Sequence, residues 1–226
     1  APFIWNQGFT SVDHMVATHP DRDHIQGFNG LVKNFRVNSF WHNGDSESYH
    51  FSEGLDRLIN RKEVNFSDLK DGDRFFVDHG VLIRVFNLRE ALAKEYGPGN
   101  QLNDNNKSLV IKLQYGRISF LLAADIENLA EGYLVDKARG LRSTFLKVAH
   151  HGSRSSSTKK FLEEVKPEIA VISVGNPNPF GHPSPVVLER LKSLRVRVYR
   201  TDQHGSIQIT TNGQDYPIQT WTPAPD

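Results

Sequence analysis

Short apolar runs recur along the chain, and most of them end in a cluster of polar side chains. Met15–Thr18 runs into ATHPDRDHIQG, which spans Ala17 to Gly27. Ser108–Leu113 and Ile118–Ala124 flank QYGR and predict a hairpin, and the second of these runs stops at Asp125. Phe145–Ala149 stops at HHGS, and Ala170–Val174 stops at GNPNPFGHPSP. Val196–Tyr199 and Ile207–Ile209 flank TDQHG and predict a second hairpin. Helical spacing fills the intervals. Glu53–Arg61 reads as a short helix, and Ile126, Leu129, Ala130 and Leu134 form one face of a helix over Ile126–Ala138. Further helices are predicted over Ser157–Lys166 and Ser184–Leu194, the last with Ser184 as N-cap and Pro185 at the first helical position. Interleaved strands and helices make this an α/β protein. The expected organisation is a single domain over 1–226, with 1–11 as a lead-in and the polar, proline-bearing 211–226 as a loose tail. Layered α/β folds assemble their sites at strand ends, where these polar clusters fall.

Composition narrows the chemistry. The 226 residues are 38% hydrophobic and 23% charged, ordinary values for a folded protein. A formal net charge of +1 excludes a strong general pull towards nucleic acid or anionic membrane and leaves room for local patches. There is no cysteine, so disulfides, thiolate nucleophiles and thiolate metal sites are excluded. With ten histidines, a transition-metal site would be built from imidazole and carboxylate. No apolar run approaches the ~20 residues of a membrane-spanning helix, and APFIWNQGF carries no signal-peptide pattern, so the chain reads as a soluble domain.

The first polar cluster is the densest. His19, Asp21 and Asp23 stand two apart and His24 follows directly. A turn leaving a strand can aim such alternating side chains into one concavity. Imidazole and carboxylate are the ligands a divalent cation recruits when thiolates are absent. Pro20 stiffens the turn and Gly27 lets the backbone change course. The plainer alternative, a polar loop with capping aspartates, does not need two imidazoles.

This cluster resembles the His-x-His-x-Asp-His signature of the metallo-β-lactamase superfamily, with Asp21 in place of the second histidine. The variant THPDRDHIQG resembles the hydrolase domain of ComEC-type competence proteins, the DNA-uptake channels of transformable bacteria. LLAADIENLAEGYLV, LKVAHHGSRSSST, VISVGNPNPFGHPSPVVLERL and VRVYRTDQHGSIQI match further segments of that domain in order, from Val12 to Ile209. The resemblance implies an αββα sandwich and a site for two divalent cations, zinc or manganese. Its implied metal ligands are His19, Asp21, Asp23, His24, Asp125, His150 and His182, with Asp125 bridging; the residue type of Asp125 also suits an N-cap. Adjacent strand residues face opposite ways, so one of His150 and His151 would bind metal and the other would contact a substrate phosphate or move a proton; His150 is taken as the ligand, with the choice between the two left open. Asp23, His151 and His182 are the expected catalytic groups, and stacking on Phe180 is the plainer role for His182. Many superfamily members carry a metal histidine where LNDNNKS stands here. Asn103, Asp104 or Asn105 would then approach the metals or the substrate. Ser153 and Arg154 are expected phosphate contacts. His14, His42, His50, His79 and His204 are read as structural.

The function so implied is a metal-dependent phosphodiesterase or nuclease acting on DNA during uptake, with Arg22, Arg154, Lys159 and Lys160 near the backbone. Asp21 hardens the donor set and favours manganese tolerance. Two alternatives are a stand-alone hydrolase of a small phosphodiester, ester or lactone, and a non-catalytic binding module. The superfamily places strands before its first metal motif, and here the motif begins at His19. The first sheet is therefore expected to lack its N-terminal strands and to expose an edge that pairs in a homodimer. A longer parent with a membrane-channel portion would hold the domain outside the cytoplasm.

Overall fold

The computed structural model describes residues 2–45, 55–57, 63–97 and 102–222. Its strands form two facing sheets and a hairpin. Strands β1 (Ser11–Ala17), β2 (Arg36–His42) and β3 (Asn65–Asp68) make a parallel sheet in that order. Seven strands follow: β4 (Arg74–Val77), β5 (Val81–Asn87), β6 (Leu109–Tyr115), β7 (Ile118–Leu122), β8 (Phe145–Lys147), β9 (Ile169–Ile172) and β10 (Arg197–Arg200). They lie in reverse sequence order, antiparallel from β4 to β7 and parallel from β7 to β10. β11 (Ile207–Ile209) and β12 (Ile218–Thr220) close the chain as an antiparallel pair.

Strand periodicity assigns the layers. On β5 and β6, Ile83, Val85, Leu109 and Ile111 face the small sheet and pack with Val16 and Trp41. Phe86 and Val110 face the opposite way, into the largest core. There they meet Ala130 and Leu134 of the helix Asn128–Lys137, Phe161 of the helix Lys159–Val165, and Leu191 of the helix Pro185–Ser193. The helix Phe28–Asn34 covers the outer face of the small sheet through Phe28, Leu31 and Val32. Helix, sheet, sheet and helix is the expected αββα sandwich. Each fully buried Phe or Leu in these layers contributes about 1.5–3 kcal/mol. Among the described residues, no helix is long and apolar enough to cross a membrane.

The QYGR hairpin forms as expected, with Tyr115 opposite Ile118. The second predicted hairpin does not form. β10 pairs in parallel with β9, and TDQH is a helical turn whose Thr201 Oγ1 donates to Val174 O at 2.7 Å. β11 pairs instead with β12. The tail expectation also needs correction, since the chain is built into the fold as far as Thr222. Tyr216 packs edge-on to Phe145, and its hydroxyl donates to Glu168 Oε2 at 2.7 Å. The physical reason is a loop held by its own side chains, where Asn212 Oδ1 accepts from Gln214 N and Asp215 N and Thr211 Oγ1 accepts from Gly213 N. The Glu53–Arg61 helix lies outside the described residues except 55–57, which are helical.

The two hairpins touch backbone to backbone. Gly116 has φ +56°, and a Cβ there would meet the carbonyl oxygen of Gly213 and stand 2.9 Å from its Cα. Gly116→Ala should therefore lower the melting temperature by roughly 4–8 °C, the equivalent of about 2 kcal/mol for overpacking and a left-handed alanine. Gly132, inside the helix Asn128–Lys137, has open space where a Cβ would stand and is the control. Gly132→Ala should leave the melt unchanged or raise it slightly.

Candidate metal centre

Three strand ends and one short helix assemble the centre. After β1, Thr18 and His19 lead into Pro20, and Asp21 occupies the N-cap position of a single helical turn, Arg22–Ile25. That turn carries Asp23 and His24. β7 ends at Leu122, and Asp125 follows two alanines later. β8 ends at Lys147, and the 3₁₀ turn Ala149–Gly152 carries His150 and His151.

Asp23, His24, Asp125 and His151 each place one donor atom within 4.8 Å of all the others. Asp125 Oδ2 lies 3.2 Å from His24 Nε2 and 3.4 Å from His151 Nε2. Asp23 Oδ2 lies 3.5 Å from His151 Nε2 and 3.7 Å from His24 Nε2. Four ligands at zinc–nitrogen and zinc–oxygen distances stand about 3.4 Å apart at the corners of a tetrahedron. The spacing therefore fits a divalent cation. So does the bonding: the Nε2 atoms of His19, His24 and His151 are buried and face carboxylate oxygens at 3.6, 3.2 and 3.4 Å without making a well-directed hydrogen bond. Buried imidazole nitrogens without such a bond are costly unless something else occupies them.

His19 lies beside this group. It is fully buried, its ring centroid is 4.0 Å from that of His24, and its Nε2 is 3.6 Å from Asp21 Oδ2. Thr18 Oγ1 holds its Nδ1 at 2.9 Å, which fixes the direction of Nε2. Burial, helped by neighbouring His24, lowers its pKa to about 4, so the ring is neutral and able to act as a ligand. Burial, together with Asp104 and Asp23, raises the Asp21 carboxyl. His151 is raised by its contact with Asp125, and its Nδ1 meets Ser173 O at 2.7 Å. Burial works against the charge of Asp125, but His151, His24 and Lys147 outweigh it and hold the carboxyl well below the usual range.

Lys147 is a site residue that motif reading missed. Its Nζ stands 3.3 Å from Asp125 Oδ1 and donates to Ala124 O at 3.0 Å. It pins one carboxylate oxygen while Oδ2 faces the imidazoles. A lone lysine in the buried run FLKVA was the available signal. Asp125 is not the helix cap; Glu127 holds that position, and Asn106 Oδ1 accepts from the N–H groups of Glu127 and Ala130.

His150 and His151 are not on a strand. Both have left-handed backbones, φ 47° and 53°, and Ala124 beside them has φ 48°. The strand argument for choosing between them therefore does not apply, and His151, not His150, joins the group of four. His150 Nδ1 turns towards Glu127 Oε1 at 3.4 Å. His182 sits on the His150 side, ring centroids 5.9 Å apart, and stacks on Phe180. Burial, with His150 and His151, lowers its pKa. Asn103 donates to Glu127 Oε2 at 2.8 Å and accepts from Asn106. Asp104 pairs with Lys107, and Asn105 is half-buried. Ser153 is buried with its hydroxyl 3.0 Å from that of Ser155, and Arg154 is exposed. Glu127 and Asn106 are thus the organisers of a second polar cluster that sequence reading did not name.

The histidines read as structural stay apart from the centre. His14 meets Ser39 Oγ at 2.9 Å and stacks on Trp41, and His42 stacks on Phe66. His204 lies buried with Nδ1 near the Arg200 backbone, and His79 is exposed in a turn. His50 is outside the described residues.

Imidazoles and carboxylates gathered at the strand ends of an αββα sandwich form a candidate site for a divalent metal. The chain belongs to the metallo-beta-lactamase superfamily, whose sequence profile matches residues 7–176. It is 30% identical over 207 residues to ComE operon protein 3 of Bacillus subtilis (strain 168), covering 92% of this chain and 26% of that protein. Competence protein ComA of Neisseria gonorrhoeae is 30% identical over 213 residues, with coverage of 92% and 26%. The chain thus spans about a quarter of these relatives' length. Its fold is similar to a CmlA beta-hydroxylase (TM-score 0.57, 11% identity, 85% of this chain and 43% of that one). It is also similar to a metal-dependent hydrolase of the beta-lactamase superfamily (TM-score 0.53, 11% identity, 88% and 80%).

Proposed function

We propose that this chain is a metal-dependent phosphodiesterase that cleaves DNA during competence-linked uptake. The observation that carries the reading is the four-donor group Asp23, His24, Asp125 and His151 beside His19 and Asp21, in a relative of competence proteins. Two divalent cations held by these residues would supply Lewis acidity to a phosphoryl oxygen and to water. The chain's own groups do the rest. Ser173 O and Thr18 Oγ1 fix the two ring orientations, and Lys147 keeps Asp125 in place. Asp21 and Asp23 are exposed and face the side from which a substrate arrives. His150, His182 and Glu127 line the neighbouring polar side and orient the phosphodiester. Exposed Arg22, Arg154, Lys159 and Lys160 contact the backbone. Asp21 in place of a histidine makes the donor set oxygen-rich, so manganese supports activity alongside zinc.

His150→Ala and His151→Ala test the assignment together. Metal content by mass spectrometry and cleavage of linear DNA are measured with zinc or manganese added back. Both variants should cleave about 100-fold more slowly. Only His151→Ala should lose metal. Metal loss in His150→Ala alone would reverse the roles, and wild-type protein that binds metal yet leaves DNA intact would end the nuclease reading.

A further inference from the structure

A second charged site lies at the other end of the helix that begins beside Asp125. Arg84 on β5 and Lys112 on β6 are paired directly across the ladder. They share the helix-covered face with Phe86 and Val110, by the period of two. Like charges directly opposite on neighbouring strands repel. Burial, with Arg84 beside it, pushes the Lys112 amine down. Lys137, Arg139 and Arg142 bring three more cations from the helix end and the loop after it. No carboxylate among the described residues lies in ion-pair range of any of the five. In a chain of 27 basic and 26 acidic residues, that imbalance is local.

Part of this charge has a structural use. Lys112 Nζ donates to Gly140 O and Arg142 O, and Arg84 Nη2 donates to Arg139 O at 3.0 Å. Those bonds tie the loop down but leave Arg84 with its other N–H donors. Its guanidinium carbon lies 5.4 Å from the centre of the Phe86 ring. The fork lines a cavity of about 280 Å³ with Tyr133, Lys137 and Arg139. The one carboxylate on the wall, Asp71, has Oδ1 engaged by Asn87 N at 3.1 Å. A cavity below the ~300–1,000 Å³ of drug-sized sites takes a small group. A planar guanidinium with two further cations matches the oxygens of a phosphate.

We infer that the cleft between Arg84, Lys137 and Arg139 binds a phosphate group, carried by a nucleic-acid strand or by a free mononucleotide. The helix Asn128–Lys137 separates it from the metal centre by roughly 15 Å, so it is a site of its own and does not depend on the nuclease reading.

The test is the double charge reversal Lys137→Glu with Arg139→Glu. Both residues are exposed, so the fold should survive. Arg84→Lys, which keeps the charge and loses the fork, is the second variant. Binding of adenosine monophosphate is followed by calorimetry, and binding of a fluorescent single-stranded oligonucleotide by anisotropy at several salt concentrations. Turnover of a small chromogenic phosphodiester reports the metal centre separately. The double reversal should weaken at least one phosphate ligand more than fivefold without changing that turnover. A loss confined to the mononucleotide identifies a free ligand. A loss for the oligonucleotide, with a shallower salt dependence, identifies the strand. Unchanged binding of both ligands in the double reversal overturns the inference, whatever the metal centre does.

Discussion

Asp125→Asn is expected to remove the cation from the centre and to lower hydrolysis by about 10³-fold, close to 4 kcal/mol of transition-state stabilisation. The size follows from how many groups use this one carboxylate. Asp125 is 3% exposed; Oδ2 meets two imidazoles and Oδ1 meets Lys147. The other carboxylate of the group, Asp23, has a side chain 65% exposed and is free to reorient. An asparagine keeps the shape but brings no charge to a cation, and it presents an amide N–H₂ either to Lys147 or to the imidazoles. Metal content by mass spectrometry and the rate on DNA should fall together while circular dichroism stays native. Wild-type metal content in this variant would refute the placement of the centre.

Glu131→Ala should produce the largest loss of stability, about 3–5 kcal/mol and roughly 10 °C in melting temperature. Glu131 is fully buried and accepts the N–H of Ser157 at 2.5 Å and of Thr158 at 2.7 Å. Arg190 closes the same knot by donating to Ser156 O and Ser157 O. Removing the carboxylate leaves two donors without partners and a void beneath the loop that leads away from His151. The same residue predicts a pH dependence. Burial raises its carboxyl above the ordinary 4.5, so the native state takes up its proton more readily than the unfolded chain. Its contribution to stability therefore grows as pH falls through the raised native value and is lost as pH rises through it. Glu131→Gln has no such proton. Urea unfolding at pH 7, 6 and 5 should show wild type gaining on this variant as the solution becomes more acid. A wild type that instead loses ground to this variant as the pH falls would rule out burial as the cause.

Much of the architecture was legible because each apolar run is short and ends in chemistry. Asp125 after SFLLAA and the histidine pair after LKVA mark strand ends whatever packs on them. The cluster from His19 to His24 was legible because it is local. The choice between His150 and His151 was not, because it depends on two left-handed residues that no alternation rule anticipates. Lys147 and Glu127 escaped because their partners, Asp125 and His150, come from other elements. The hairpin β11–β12 is a different kind of miss. Thr211 and Asn212 stood in the sequence, but the polar composition around them outweighed their turn chemistry, and tertiary contacts with Gly116 and Glu168 decide the matter.

The three left-handed residues around the centre, Ala124, His150 and His151, set a conflict for anyone engineering this protein. Each holds a backbone that glycine adopts freely and that costs other residues of order 1 kcal/mol or more. A library selected for heat resistance alone would be rewarded for glycine at 150 and 151. The winners would be sturdier and inert. Selection for turnover and selection for endurance pull on the same two peptide units in opposite directions, so the two traits have to be screened together.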